Sequence, residues 1–173
     1  QTTKPSGGYA YYKNGTLTLN NYSYKGEGYL YGSGYYAVIY TKNDLTLELI
    51  GNNTLIQTQT DSYFDMIYVD GAKLTVGGDG KLTGTAGGYG LYTDKGITIN
   101  GGTIEVSTYR TSIISSGDVI INDGDITAES DIKVAIYSKY DVTVNGGNVT
   151  AIGGGSKAID YSTGFNVAKG MKI

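Results

Sequence analysis

One phrase is written several times along this chain, and no other feature restricts its folding so strongly. At Ala135–Ala151 it reads AIYSKYDVTVNGGNVTA, at Leu91–Val106 LYTDKGITINGGTIEV, and at Ile113–Ala128 IISSGDVIINDGDITA. An incomplete copy, AIDYSTGFNV, stands at Ala158–Val167. Repetition at roughly 20–30 residues marks chains built by stacking one small unit on itself. Within each copy, β-branched and polar residues alternate over short runs, and glycines separate the runs. That is the pattern of strands joined by turns.

Three apolar ladders follow from aligning the copies. The first joins Leu17, Leu45, Leu74, Ile97, Val119, Val142 and Phe165, at spacings of 22–29 residues. Its companions stand two residues on, at Leu19, Leu47, Val76, Ile99, Ile121, Val144 and Val167. Residues two apart on a strand share a face, so both sets are assigned to the core. The second ladder is Leu55, Leu82, Ile104, Ile126 and Val149; the third is Ile39, Ile67, Leu91, Ile113, Ile136 and Ile159.

Ladders in fixed phase predict an all-β, right-handed parallel β-helix of about five to six coils. Each coil would carry three short strands and lie about 4.8 Å from the next. An open sandwich competes, but it supplies no reason for the fixed phase. Asn14-Gly15 between two alternating runs predicts a β-hairpin within residues 9–24, capping the first coil. Residues 1–8 read as a linker or tail and residues 9–173 as a single domain. The final coil, from Gly164, reads as incomplete, and Gln1 in place of Met suggests a mature or trimmed form.

Two polar columns accompany the ladders. Asn20, Asn100, Asn122 and Asn145 close the first strand of their copies and are expected to stack through their amides. Thr18, Thr46, Thr75, Thr98 and Thr143 form an outward threonine column, explained by cross-strand pairing. Interrupted by Ile120 and flanked by Lys73 and Glu48, that column lacks the flat regularity an ice-binding face needs.

Composition narrows the chemistry. The chain carries no histidine, which excludes His-dependent triads and zinc sites, and no cysteine, which excludes disulfides. A net charge of −3 with one arginine, Arg110, leaves no basic stripe for nucleic acid. No apolar run approaches the roughly 18 residues of a membrane span, so no membrane insertion is expected. The densest acidic cluster is Asp118, Asp123, Asp125, Glu129 and Asp131. Asp123 and Asp125 flank a glycine at a bend where carboxylates and carbonyls could hold Ca²⁺. The aligned positions in adjacent copies are Gly101, Gly146, Thr103 and Asn148, so solvated turn acids explain the cluster equally. A polysaccharide lyase would need a base beside such acids. Arg110 lies in the loop Ser107–Ser112 without an aspartate ladder, so no catalytic residue is assigned and no enzyme is expected.

Tyrosine is the distinctive residue, with 18 copies beside two Phe and no Trp. Tyr40, Tyr68, Tyr92 and Tyr137 each follow a third-ladder residue and should point outward as a column, interrupted by Ile114 and Asp160. A second concentration, Tyr22, Tyr24, Tyr29, Tyr31, Tyr35 and Tyr36, fills the insertion YSYKGEGYLYGSGYY. Exposed phenol rings suit sugars, which offer an apolar C–H face and polar edges. Tyr40, Tyr68, Tyr92, Tyr137, Tyr29, Tyr31, Tyr35 and Tyr36 are therefore the candidate glycan-binding residues. Cross-strand aromatic pairing, or an insertion folded over the first coil, would explain the same residues structurally.

The stretches NGTLTLNNYSYKGEGY, AVIYTKNDLTLELIGNNTL and INGGTIEVS resemble repeat modules in cell-surface proteins of Gram-positive, largely gut-dwelling bacteria. Such modules are labelled carbohydrate-binding or β-helix domains, and the asparagine column resembles that of pectate-lyase-like β-helices. The resemblance runs from Tyr9 to Val167. It implies a secreted or cell-surface-attached protein that adheres to a polysaccharide or to a host or cell-wall glycan. No binding motif of these modules maps onto individual residues here. A non-catalytic extracellular glycan-binding or adhesion module is the expected function. The alternatives are a structural stalk or spacer without ligand, and a Ca²⁺-dependent polysaccharide lyase or hydrolase. Open strand edges in the last coil further suggest end-to-end self-association.

Overall fold

Asn14 and Gly15 take φ angles of 51° and 82°, the positive pair a tight hairpin needs. They join β1 (Tyr9–Lys13) to β2 (Thr16–Asn20) antiparallel. The hairpin ends there, because β3 (Ser23–Gly26) pairs elsewhere, alongside Asn52–Gln57. A second hairpin follows, β4 (Tyr29–Gly32) with β5 (Tyr35–Thr41). Next come β6 (Leu45–Ile50), β7 (Asn52–Gln57) and β8 (Phe64–Val69), then β9 (Leu74–Gly78), β10 (Lys81–Ala86) and β11 (Leu91–Thr93). The fourth and fifth repeats read β12 (Ile97–Thr108), β13 (Ile113–Ser115), β14 (Val119–Ser130) and β15 (Ile136–Ser138). The chain closes with β16 (Asp141–Val144), β17 (Asn148–Gly153), β18 (Ile159–Tyr161) and β19 (Gly164–Val167). These elements come from a computed structural model that describes residues 7–61 and 63–169. Most of the tail expected at 1–8, and the last four residues of the final repeat, lie outside the described residues.

The expected β-helix with three short strands per coil is corrected by β12 and β14. Each runs twelve residues where two strands meeting at a corner were expected. The glycine-rich bend is a register shift between Asn100 and Thr103 inside one continuous parallel pair. Gly102 and Gly124, at φ 86° and 114°, absorb the irregularity without ending the ladder. Among the described residues the result is two sheets and no closed solenoid. One sheet has twelve strands and curls as a half-barrel; the other has seven, in the order β18-β15-β13-β11-β8-β5-β4. The β1–β2 and β4–β5 pairs are antiparallel and the repeats pair parallel, so the fold is all-β with mixed pairing.

Register within the sheets follows the ladders, with two departures. Leu45, Leu74, Ile97, Val119, Val142 and Phe165 are successive parallel partners, as are Ile39, Ile67, Leu91, Ile113, Ile136 and Ile159. Leu17, however, faces Leu47, not Leu45. A slip of two residues keeps every side chain on its face, and β6 offers three buried leucines in alternation, so sequence does not distinguish the registers. Leu55 likewise faces Gly84, while Leu82 faces Asn53. A Cβ on Gly84 would collide with Met66 Sδ, so the methionine fills the place a second-ladder side chain was expected to take.

Between the sheets lie the fully buried Leu47, Leu49, Met66, Ile67, Leu82, Ile99 and Ile104, each stabilising by about 1.5–3 kcal/mol. Asn122 donates to Asn100 at 2.8 Å and Asn145 to Asn122 at 2.9 Å, forming the amide stack. Asn20 stands outside it and donates to the Tyr9 hydroxyl. Thr18 also departs from its column: it is buried and faces Glu48.

Candidate functional site

Parallel register sets Tyr40 on β5, Tyr68 on β8 and Tyr92 on β11 side by side, followed by Ile114, Tyr137 and Asp160. Tyr68 and Tyr92 stack with centroids 4.4 Å apart and planes at 10°. The β4–β5 hairpin then folds back over the start of this row. Tyr31 stacks on Tyr40 at 4.9 Å and leans on Tyr68 at 5.1 Å, and Tyr29 stacks on Tyr40 at 5.9 Å. Tyr40 and Tyr68 are therefore partly covered by other tyrosines.

The covered hydroxyls are committed. Tyr40 donates to Asp70 at 2.7 Å, Tyr68 to Asp94 at 3.0 Å and Tyr31 to Asp65 at 2.8 Å. Burial, then the Asp70 bond, pushes the Tyr40 phenol up to about 12. Burial and Asp94 raise Tyr92 to about 12, and Tyr68 and Tyr31 are pushed higher still, mainly by burial.

Asp65 is the anchor of this arrangement, and sequence reasoning did not find it. It is 3% exposed, and it accepts from the Tyr31 hydroxyl and from the Tyr89 backbone N–H, both at 2.8 Å. Burial raises its carboxyl to about 6, against the lowering pull of those bonds and of Arg110. The one available signal was an acid inside the apolar run FDMIYV, whose Asp65, Met66 and Ile67 are buried consecutively.

Outside the covered row two features remain open. Tyr29, Tyr35 and Tyr63 are exposed at 63%, 42% and 50%, with Tyr35 and Tyr63 edge-to-face at 5.0 Å. Beyond Tyr92 the row opens into a cleft of about 300 Å³ lined by Tyr89, Arg110, Ile114, Lys133, Tyr137 and Asp160. Tyr89 meets Tyr92 edge-on at 5.2 Å, and the Arg110 guanidinium lies 4.9 Å from the Tyr89 ring centre. The fold thus gathers Tyr29, Tyr31, Tyr35, Tyr40, Tyr68 and Tyr92 and puts Tyr137 in the adjoining cleft. Tyr36 departs from the group's geometry and stacks on Phe64 at 4.9 Å.

The acidic bend is arranged differently from this site. Asp123 accepts the N–H of Gly124 at 2.8 Å, and Asp125 accepts from the Asn148 amide at 2.7 Å. Among the described residues no three His, Cys, Asp or Glu side chains gather around a point where a metal ion could sit. No helix among them is long and apolar enough to cross a membrane.

These features define an all-β repeat protein with a tyrosine face beside a cationic cleft. No protein-family model matches the chain, and neither a curated protein nor a solved structure matches it.

Proposed function

We propose that this chain is a non-catalytic, extracellular glycan-binding or adhesion module, secreted or attached to a cell surface. The observations that carry this reading are the exposed rings of Tyr29, Tyr35 and Tyr63 and the open cleft lined by Tyr89 and Tyr137. Flat rings with hydroxyl edges meet both the apolar face and the polar rim of a pyranose. The resemblance to carbohydrate-binding surface modules points the same way. Asp65, the buried acid of the site, is wrapped by two hydrogen bonds and serves as a structural tie.

The cover over Tyr40 and Tyr68 moves the test to other residues. On a glycan array the folded protein should bind, and the Tyr29→Ala/Tyr63→Ala double variant, checked to be folded at the assay temperature, should bind at least about ten-fold more weakly. A silent array from folded wild-type protein would refute the proposal and favour a stalk without ligand.

A further inference from the structure

We infer that the cleft beside Tyr92 is a subsite for one anionic sugar residue, bearing a carboxylate or a phosphate or sulfate ester. The inference rests on the glycan-binding reading and adds the charge class of the ligand.

The chain has net charge −3 and a single arginine, and that arginine lines this cleft. Among the described residues no carboxylate lies within ion-pair distance of Arg110, whose guanidinium instead rests against Tyr89. Its loop is held in place: Thr108 Oγ1 donates to the Arg110 carbonyl at 3.0 Å, and the Ile132 N–H donates to the Tyr109 carbonyl at 3.2 Å. Lys133, the second cation, is fixed at its backbone, which donates to Ser130 Oγ at 3.0 Å, and its side chain makes no ion pair among the described residues. Asp160 is the cleft's one carboxylate, and Lys157 engages it at 2.8 Å. Asp65, bonded to Tyr31 and the Tyr89 N–H, is near enough to attract Arg110 but forms no ion pair with it. The lining therefore presents two cations that make no ion pair among the described residues.

Shape agrees with charge. Ile114 occupies the row position between Tyr92 and Tyr137. The shorter side chain leaves a gap between the two rings, and the cleft stands at that gap. About 300 Å³ is at the small end of ligand pockets, which suits one ring and not an extended chain. Tyr89, Tyr137 and Ile114 meet the ring's apolar face, and the planar guanidinium matches the two oxygens of a carboxylate or ester.

The test uses the full chain and size-matched oligosaccharides in three arms: neutral, carboxylated, and phosphate- or sulfate-esterified, measured by calorimetry at low and high salt. At least one acidic arm should bind about ten-fold tighter than the neutral arm, and the preference should shrink as salt rises. Arg110→Gln should erase the preference, bringing acidic and neutral oligosaccharides to equal affinity. Lys133→Gln, at an exposed position, should reduce the preference. Which acidic arm wins identifies the anion. Equal binding of neutral and acidic arms, or a preference that survives both variants, overturns the inference and leaves glycan binding standing. Failure of every arm overturns both.

Discussion

Asp65 makes a prediction whose size and sign come directly from its surroundings. Its carboxyl is moved from an ordinary 3.8 to about 6, with burial the dominant cause. The groups facing it are Tyr31 from β4, Tyr89 from the turn before β11, and Arg110 from the loop after β12. The gap between the two values, at about 1.4 kcal/mol per pH unit, is worth about 3 kcal/mol. The folded chain holds this proton more tightly than the unfolded chain. The contribution is therefore complete below about pH 4 and is lost as pH rises through about 6. Asp65→Asn removes the titration while keeping an oxygen for the Tyr89 N–H and an amide opposite Tyr31. Urea unfolding of both proteins at intervals from pH 4 to 8 isolates the residue, because the other acids cancel in the difference. The variant should gain on the wild type by about 3 kcal/mol between pH 4 and 7. A flat difference, or a variant that loses ground as pH rises, would show that Arg110 and the two hydrogen bonds outweigh burial, and the reasoning would fail.

Two further outcomes follow from other parts of the fold. Gly147→Ala places a Cβ against the Gly124 carbonyl at a position with φ +80°, and should cost about 1–3 kcal/mol in thermal unfolding; an unchanged melting temperature would refute the register at that bend. In a spectrophotometric alkaline titration a group of phenols should ionise late, Tyr40 and Tyr92 near 12 and Tyr31 and Tyr68 beyond. The stability these half-buried phenols contribute is present below about pH 10 and lost as pH rises through their folded values. Tyr68→Phe should delete one late phenol, and full ionisation near pH 10 with the fold intact would contradict the covered row.

How much of this was legible in the sequence depends on which physical constraint was at work. The third ladder and the tyrosine row were readable, because one isoleucine or leucine per repeat fixes the register of β5, β8, β11, β13, β15 and β18. The first and second ladders were readable only in part. Leu45, Leu47 and Leu49 are equivalent to a partner strand that slips by two, and Met66 replaced a side chain that Gly84 does not have. The division into three strands per repeat failed because a corner and a bulge carry the same letters. INGGT in β12 and INDGD in β14 look like chain breaks, yet the hydrogen-bonded ladder continues through them. The cover over the aromatic row was legible as composition and not as geometry. Nothing local in YSYKGEGYLYGSGYY says that Tyr31 will lie on Tyr40, a contact that needs the buried acid of another repeat to hold it.

The tyrosine row also contains the reason it stops being structural where it does. Tyr68-Val69-Asp70 and Tyr92-Thr93-Asp94 place an aspartate two residues after the row position, and each aspartate binds the tyrosine of the preceding repeat: Tyr40 to Asp70, Tyr68 to Asp94. The equivalent positions in the following repeats are Ser116, Lys139 and Ser162. This aspartate position ends at Asp94: Tyr92 keeps only the Asp94 of its own repeat, and Tyr137 has Asp160 as its register partner. In the same interval Ile114 replaces a ring and Arg110 and Lys133 supply positive charge. The Tyr–Asp bonds between repeats stop where the cleft lined by Arg110, Lys133 and Asp160 begins. A surface selected only to hold strands together would gain from continuing the Tyr–Asp pairs along its whole length. Their replacement by an open, positively lined cleft is what a bound anion would require.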